Sequence, residues 1–284
     1  MNKSAARKPK RRKNYLKMRF IIFASLALLL VVGSYFSESL CPYDPYEQNL
    51  SIAKASPSLA HPFGTDRYGR DMLSRVIVGS RTSIYSTLLL VLGITVIGTI
   101  VGIICAWNGK KLDVILMRIS DIFLAFPGLV FALAVAAVMG GGVQNAIIAL
   151  GAISWPKYAR IARSQTLTQK ESLYMRAAVL SGSSTVKLIF KHILPNIIGP
   201  ILVTAMLDIG TMMMELAGLS FLGLGAQPPT AELGNMMSGG RSMLQTYPWV
   251  VIGPGLAIFT AVVIFNLLGD AMRDYLDPHN GRKQ

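Results

Sequence analysis

Between Ile84 and Trp107 the chain reads IYSTLLLVLGITVIGTIVGIICAW, without one charged residue. A run of that length is too long for an ordinary buried core helix and long enough to cross a hydrocarbon layer of about 30 Å. Within that layer every backbone N–H and C=O must find its partner inside the protein, so an open-chain segment crosses as a helix. Predominantly apolar stretches at 20–36, 115–140, 197–217 and 249–270 impose the same solution on much of the chain. A composition of 52% hydrophobic and 15% charged residues, with a mean hydropathy of +0.48, fits lipid better than water as the solvent. The expected class is an all-α integral membrane protein.

A sixth crossing at 143–162 is less evident, because Pro156, Lys157 and Arg160 crowd its end. Charge decides it. If the segment crosses, 22 of the 28 Lys and Arg residues fall on one side and six on the other, the asymmetry that marks a cytoplasmic face. If it does not, the basic stretch 157–195 lies outside and breaks that rule. Six transmembrane helices with both termini cytoplasmic is the consistent topology. The organisation is then a basic tail at 1–19, a first span at 20–36, an extracytoplasmic loop at 37–81, a membrane domain at 82–271 and a tail at 272–284. No repeat of solenoid period is present.

The net charge of +14 raises the possibility of a nucleic-acid partner, but nine of the basic residues lie within the first 19 positions, directly before the first span. That placement is a membrane-anchor flank facing lipid, and no nucleic acid is expected. The same stretch has the basic and apolar regions of a signal peptide. An uncleaved span is preferred, since the apolar run is long and further spans follow. Cys41 and Cys105 fall in the outer loop and in a span, which favours free thiols over a disulfide framework.

Catalytic signatures are missing. There is no GxxxxGK[ST] loop and no HExxH, and Gly182-Ser183-Ser184 lacks the lysine that would reach a phosphate. His61, His192 and His279 are too scattered to build a metal site or to activate a serine such as Ser220. No catalytic residue, metal or cofactor is expected. Asp208 and Glu215 are seven residues apart in one span and share a helix face. Carboxylates at that depth either line a polar pathway or bind a neighbouring helix. Asp121 and Asp270, nearer the cytoplasmic ends, are expected to cap, snorkel or pair with Arg118 and Arg273. Met212–Met214 and Met236–Met237 read as packing rather than a soft-metal path. Pro127 within AlaPhePro removes a backbone bond in mid-span and predicts a kink, a third pathway candidate.

The stretch RAAVLSGSSTVKLIFKHILPN at 176–196 interrupts the apolar pattern. It reads as two short helices joined at Gly182, which ends the first in a left-handed conformation, with Ser183 or Ser184 capping the second. Val186, Ile189, Phe190 and Ile193 recur at helical spacing as one apolar face, opposite Lys187 and Lys191. Pro195 permits a sharp start to the fifth span. The product is a stiff elbow along the cytoplasmic surface; an amphipathic helix resting on head groups would carry the same pattern.

Ala177, Ala178, Gly182 four residues later and Leu194-Pro195 resemble the EAA loop of the permease subunits of ABC importers, the type I membrane fold. Arg176 stands where that pattern has Glu, and His192 where it has Ile. HPFGTDRYGRDMLSRVIVGSRTS, DIFLAFPGL, ELAGLSFLGLGAQPPTAELG and NLLGDAMRDYLDP extend the resemblance over about 61–278, to the second permease subunit of the dipeptide, oligopeptide and nickel importers. The resemblance implies a partner permease, two ATP-binding cassette ATPases and an extracytoplasmic solute-binding protein. It further implies that Arg176, Ala177, Ala178, Gly182, Leu194 and Pro195 form the contact with the ATPase, which burns the ATP that this chain does not bind. Peptide is the first expectation for the solute and a nickel chelate the second. A self-sufficient channel or secondary carrier is the rival from another class; it would show inverted-repeat symmetry, which the sequence does not display.

Overall fold

The computed structural model describes residues 8–276; residues 1–7 and 277–284, parts of the two expected tails, lie outside the described residues. Among the described residues the chain is helical, with one isolated antiparallel bridge between Thr65 and Asp71. The helix α1 (Lys8–Tyr35) is followed by a single turn, α2 (Ser37–Leu40), and an irregular outer segment with a 3-10 turn at Leu50–Ile52. Next come α3 (Met72–Asn108), α4 (Lys110–Ala125), α5 (Gly128–Val138) and α6 (Val143–Lys170). The elbow comprises α7 (Leu173–Leu180), α8 (Thr185–Leu188) and a π turn at Ile189–Ile193, which runs into α9 (Leu194–Phe221). An outer helix α10 (Leu233–Gly240) and α11 (Trp249–Leu276) complete the chain.

Among the described residues, four helical stretches are long and apolar enough to cross a membrane: 14–35, 72–108, 185–221 and 249–276. The pair α4 and α5 supplies a fifth if counted as one span. Helix α3 starts at Met72, within the segment expected as outer loop, where the Asp71 carboxylate accepts from the Ser74 backbone N–H at 2.7 Å and caps the helix. At 37 residues and 1.5 Å per residue α3 is about 55 Å long, so it projects beyond the hydrocarbon layer. The kink at Pro127 is a break of 93° between α4 and α5. Proline pushes the preceding residue out of the helical region, and Phe126 is extended at φ −94°, ψ 146°.

The spans pack by close approach, since lipid offers no hydrophobic drive between helices. The tightest crossing joins α3 to α6. A Cβ added at Gly98 would lie 2.5 Å from Tyr158 Cβ, and one at Gly102 would lie 2.4 Å from the Ala159 carbonyl. Gly98 and Gly102 form a GxxxG pair, the spacing that lets two helix backbones touch. Tyr158, Leu150, Ile193, Ile197 and Ile201 are fully enclosed at the centre of the bundle. By contrast α1 is peripheral, held to α11 by the stacked Phe20 and Tyr275 rings and the Arg19–Asp274 contact at 3.3 Å.

Outside the bundle, residues 41–71 and α10 form a cap closed by buried polar contacts. The Asp66 carboxylate accepts from Arg70 Nε at 2.7 Å and from the N–H groups of Tyr68 and Arg70 at 2.8 and 3.0 Å. Asp71 also meets His61 Nδ1 at 2.9 Å. The Glu232 carboxylate caps α10 through Gly234 and Asn235 at 3.0 and 2.8 Å, and accepts from Ser83 Oγ of α3 at 2.9 Å.

Candidate functional site: the elbow between α6 and α9

The elbow follows its local chemistry. Gly182 sits at φ +74°, the left-handed position that ends α7, and nothing lies within 4 Å of where its Cβ would be. Ser184 Oγ accepts from the Lys187 backbone N–H at 3.4 Å and caps α8. Pro195 comes just after the π turn, inside the helical stretch that runs on from 185 to 221, so the expected sharp start to the fifth span is replaced by a continuous helix in which this residue has no N–H to donate.

The anticipated single apolar face is corrected. The π turn inserts a residue into the helical repeat and rotates the face in mid-course. Leu188 and Ile193 therefore point into the bundle and are buried, while Val186 and Phe190 are each 65% exposed. On α7, Met175 plugs the core, whereas Leu173 and Leu180 are 83% and 89% exposed. Arg176, Ala177, Gly182 and Pro195 are exposed, and Ala178 and Leu194 are half-buried. These six residues are thus gathered on one elbow, beside uncovered leucine, valine and phenylalanine side chains.

The pathway candidates separate. Asp208 is buried and held by α6: Lys157 Nζ donates at 2.6 and 2.9 Å and the Tyr158 hydroxyl donates at 2.8 Å. Glu215, two turns further along α9, is half-buried. Pro127 lies exposed at the α4–α5 break, on a different element. Of the methionines, Met212 and Met213 are buried, while Met214 and Met237 line an apolar groove between α9 and α11 with Phe221, Ile258 and Phe259.

What the sequence reading missed is the role of α6. Arg160 pairs with Asp121, for which capping, snorkelling or a pair with Arg118 was expected, and Arg163 grips Asp113 through Nε and Nη2 at 2.5 and 2.6 Å. Lys170 Nζ reaches the carbonyls of Ala106 and Trp107 at 2.8 and 3.1 Å. Lys157, Arg160 and Arg163 are spaced by threes, which puts them near one helix face. That spacing is the signal that could have revealed a row of cations facing neighbouring helices. Among the described residues no cluster of three or more His, Cys, Asp or Glu could hold a metal ion.

The described residues thus form a helical bundle with long apolar spans and a capped, uncovered elbow between α6 and α9. The family described as binding-protein-dependent transport system inner membrane component matches residues 98–282, and the chain belongs to it. It is 40% identical over 259 residues to a dipeptide transport system permease protein of Alkalihalophilus pseudofirmus, covering 91% of this chain and 82% of that one. It is 38% identical over 264 residues to a nickel transport system permease protein of Escherichia coli (strain K12), covering 93% and 94%. Its fold is that of a chain in inward-facing structures of the MetNI methionine ABC transporter, with a TM-score of 0.58 at 19% identity, covering 72% of this chain and 98% of that chain. The protein is an ABC importer permease of the peptide and nickel family, a component of the inner membrane.

Proposed function

We propose that this chain forms half of the translocation pathway of an ATP-driven peptide importer and passes the stroke of its ATPases to that pathway through the elbow at 176–195. A second permease subunit supplies the other half, two ATP-binding cassette subunits hydrolyse the nucleotide, and an extracytoplasmic binding protein delivers the peptide. The chain itself is non-catalytic. It crosses six times with both termini cytoplasmic, α6 being the fourth crossing, so that the elbow faces the ATPases. Peptide is the solute because relatives named as dipeptide, D,D-dipeptide and glutathione permeases are all matched over most of both chains; the nickel permease relative, matched as fully, supports a metal chelate as the second reading. Asp208, bound by Lys157 and Tyr158, supports the pathway wall, while Glu215 and Pro127 are the candidates to face the solute.

One observation carries the coupling role: Leu173, Leu180, Val186 and Phe190 stand exposed on a capped, tightly turned element that the chain leaves uncovered. A large apolar patch on a rigid element marks an interface. Gly182 gives the test, because no atom of this chain would meet a side chain there. Gly182→Ala carries the backbone strain of φ +74° without bulk, and Gly182→Trp adds the bulk. In the reconstituted importer, Gly182→Trp should abolish uptake of a labelled dipeptide and capture of the ATPase while the protein still inserts, and Gly182→Ala should retain most of both. Normal uptake by the tryptophan variant with ATP hydrolysis still coupled would rule out docking at the elbow.

A further inference from the structure

The cytoplasmic end of α3 is short of partners. Gly109 N–H closes on the Cys105 carbonyl at 2.9 Å, and the next two carbonyls, of Ala106 and Trp107, are left at the negative end of a 37-residue helix. Both are taken by Lys170 Nζ, which also lies 5.3 Å from the centre of the Trp107 ring. A charge-assisted pair of bonds, a helix dipole and a cation–π contact therefore act on one ammonium group.

Lys170 is the last residue of α6, and only Glu171 and Ser172 separate it from α7. That connection is tight: Ser172 donates to the Gln169 carbonyl through its N–H at 3.2 Å and its hydroxyl at 2.6 Å, and Arg176 N–H returns to the Ser172 carbonyl at 3.2 Å. The elbow is thus fixed to α6 at a point where α6 is itself fixed to α3. Further along α6, Arg163 and Arg160 hold α4, and Lys157 with Tyr158 holds α9.

We infer that Lys170 is the positioning residue that ties the last turn of α3 to the elbow, so that displacement of the elbow carries that end of α3 along with α6. The inference rests on the coupling role proposed above and goes beyond it by naming the part that transmits the stroke. A rigid-body shift passes only through contacts that do not slip. Without Lys170 the elbow would still seat its partner, because its exposed face is untouched, and α3 would stay packed on α6 at Gly98 and Gly102, but its last turn would no longer be carried along with the elbow.

The test uses the whole importer in liposomes, with the Lys170→Met and Lys170→Arg variants of this chain. ATPase co-purification and basal hydrolysis should be unchanged in Lys170→Met, while peptide transported per ATP hydrolysed falls about tenfold, the size of one lost charge-assisted contact. Lys170→Arg, which keeps a charged donor, should stay within about twofold of the native ratio. If Lys170→Met does not insert, Lys170→Gln carries the same comparison with a smaller loss. An unchanged ratio, or uptake and hydrolysis falling in proportion, would overturn the inference and leave Lys170 a stabilising cap. Loss of ATPase capture in the native complex would refute the coupling role itself, a result that the transport ratio does not mimic.

Discussion

In the outer cap, the Asp66 carboxylate is encircled by Arg70 and two backbone N–H groups, and Glu232 binds both its own helix and Ser83 of α3. In the cytoplasmic elbow, Leu180 stands 89% exposed and the site where Gly182 would carry a Cβ is open. Both segments join spans, and both are stiffened by local caps. The polar centre of the cap is satisfied within this chain: Asp66, Arg70, Asp71 and Glu232 are buried and each has its partner, and pairing is what makes a buried charge tolerable. The elbow is stiff but incomplete, because its apolar side chains gain nothing from the chain that displays them.

The contrast predicts that substitutions in the cap are felt by the chain itself, and the largest effect belongs to Asp66. Asp66→Ala leaves the Arg70 guanidinium buried without its carboxylate, at a cost of about 3–5 kcal/mol. Thermal unfolding of the purified chain in nanodiscs should show the lowest midpoint of any single cap variant. A midpoint close to native would mean that the cap is held by something other than its polar contacts. Glu232→Ala comes next. It removes the cap of α10 and the link to Ser83, and should cost about 1–2 kcal/mol by the same measurement, with α10 exchanging its amide hydrogens faster than α11.

How much of each region could be read beforehand follows from the range of its interactions. The elbow's turn was legible, because Gly182 and Ser184 act on backbone groups within a few residues. Its exposed face was not. The π turn at Ile189–Ile193 leaves no mark on the apolar spacing, so Val186 and Phe190 were grouped with the buried Ile193. Four apolar spans, and a fifth if α4 and α5 count as one, were legible from length and hydropathy; α6, expected to cross from charge asymmetry alone, is not among the helices long and apolar enough to do so by that measure. Asp208 was visible as an intramembrane acid, but its partners Lys157 and Tyr158 lie some fifty positions away in sequence on another helix, beyond any local pattern. Gly98 and Gly102 did carry a recognisable spacing; it states that some helix approaches closely and does not say that the helix is α6.

The smallest effect on the chain and the sharpest test of the contrast belong to Leu180. Exposed as it is, Leu180→Ser removes almost no packing within this chain, and the unfolding midpoint should move by less than about 0.5 kcal/mol equivalent. If the elbow is a contact surface, the same change removes an apolar anchor from the interface, where burying a leucine is worth about 1.5–3 kcal/mol. ATPase capture should then weaken by about tenfold or more. The two measurements must therefore diverge: an unaltered midpoint beside a weakened complex. A serine variant that unfolds early would place Leu180 in the chain's own packing. One that binds its ATPase normally would show that this part of the elbow lies on lipid instead, and the distinction between a closed cap and an open handle would then rest on Val186 and Phe190 alone.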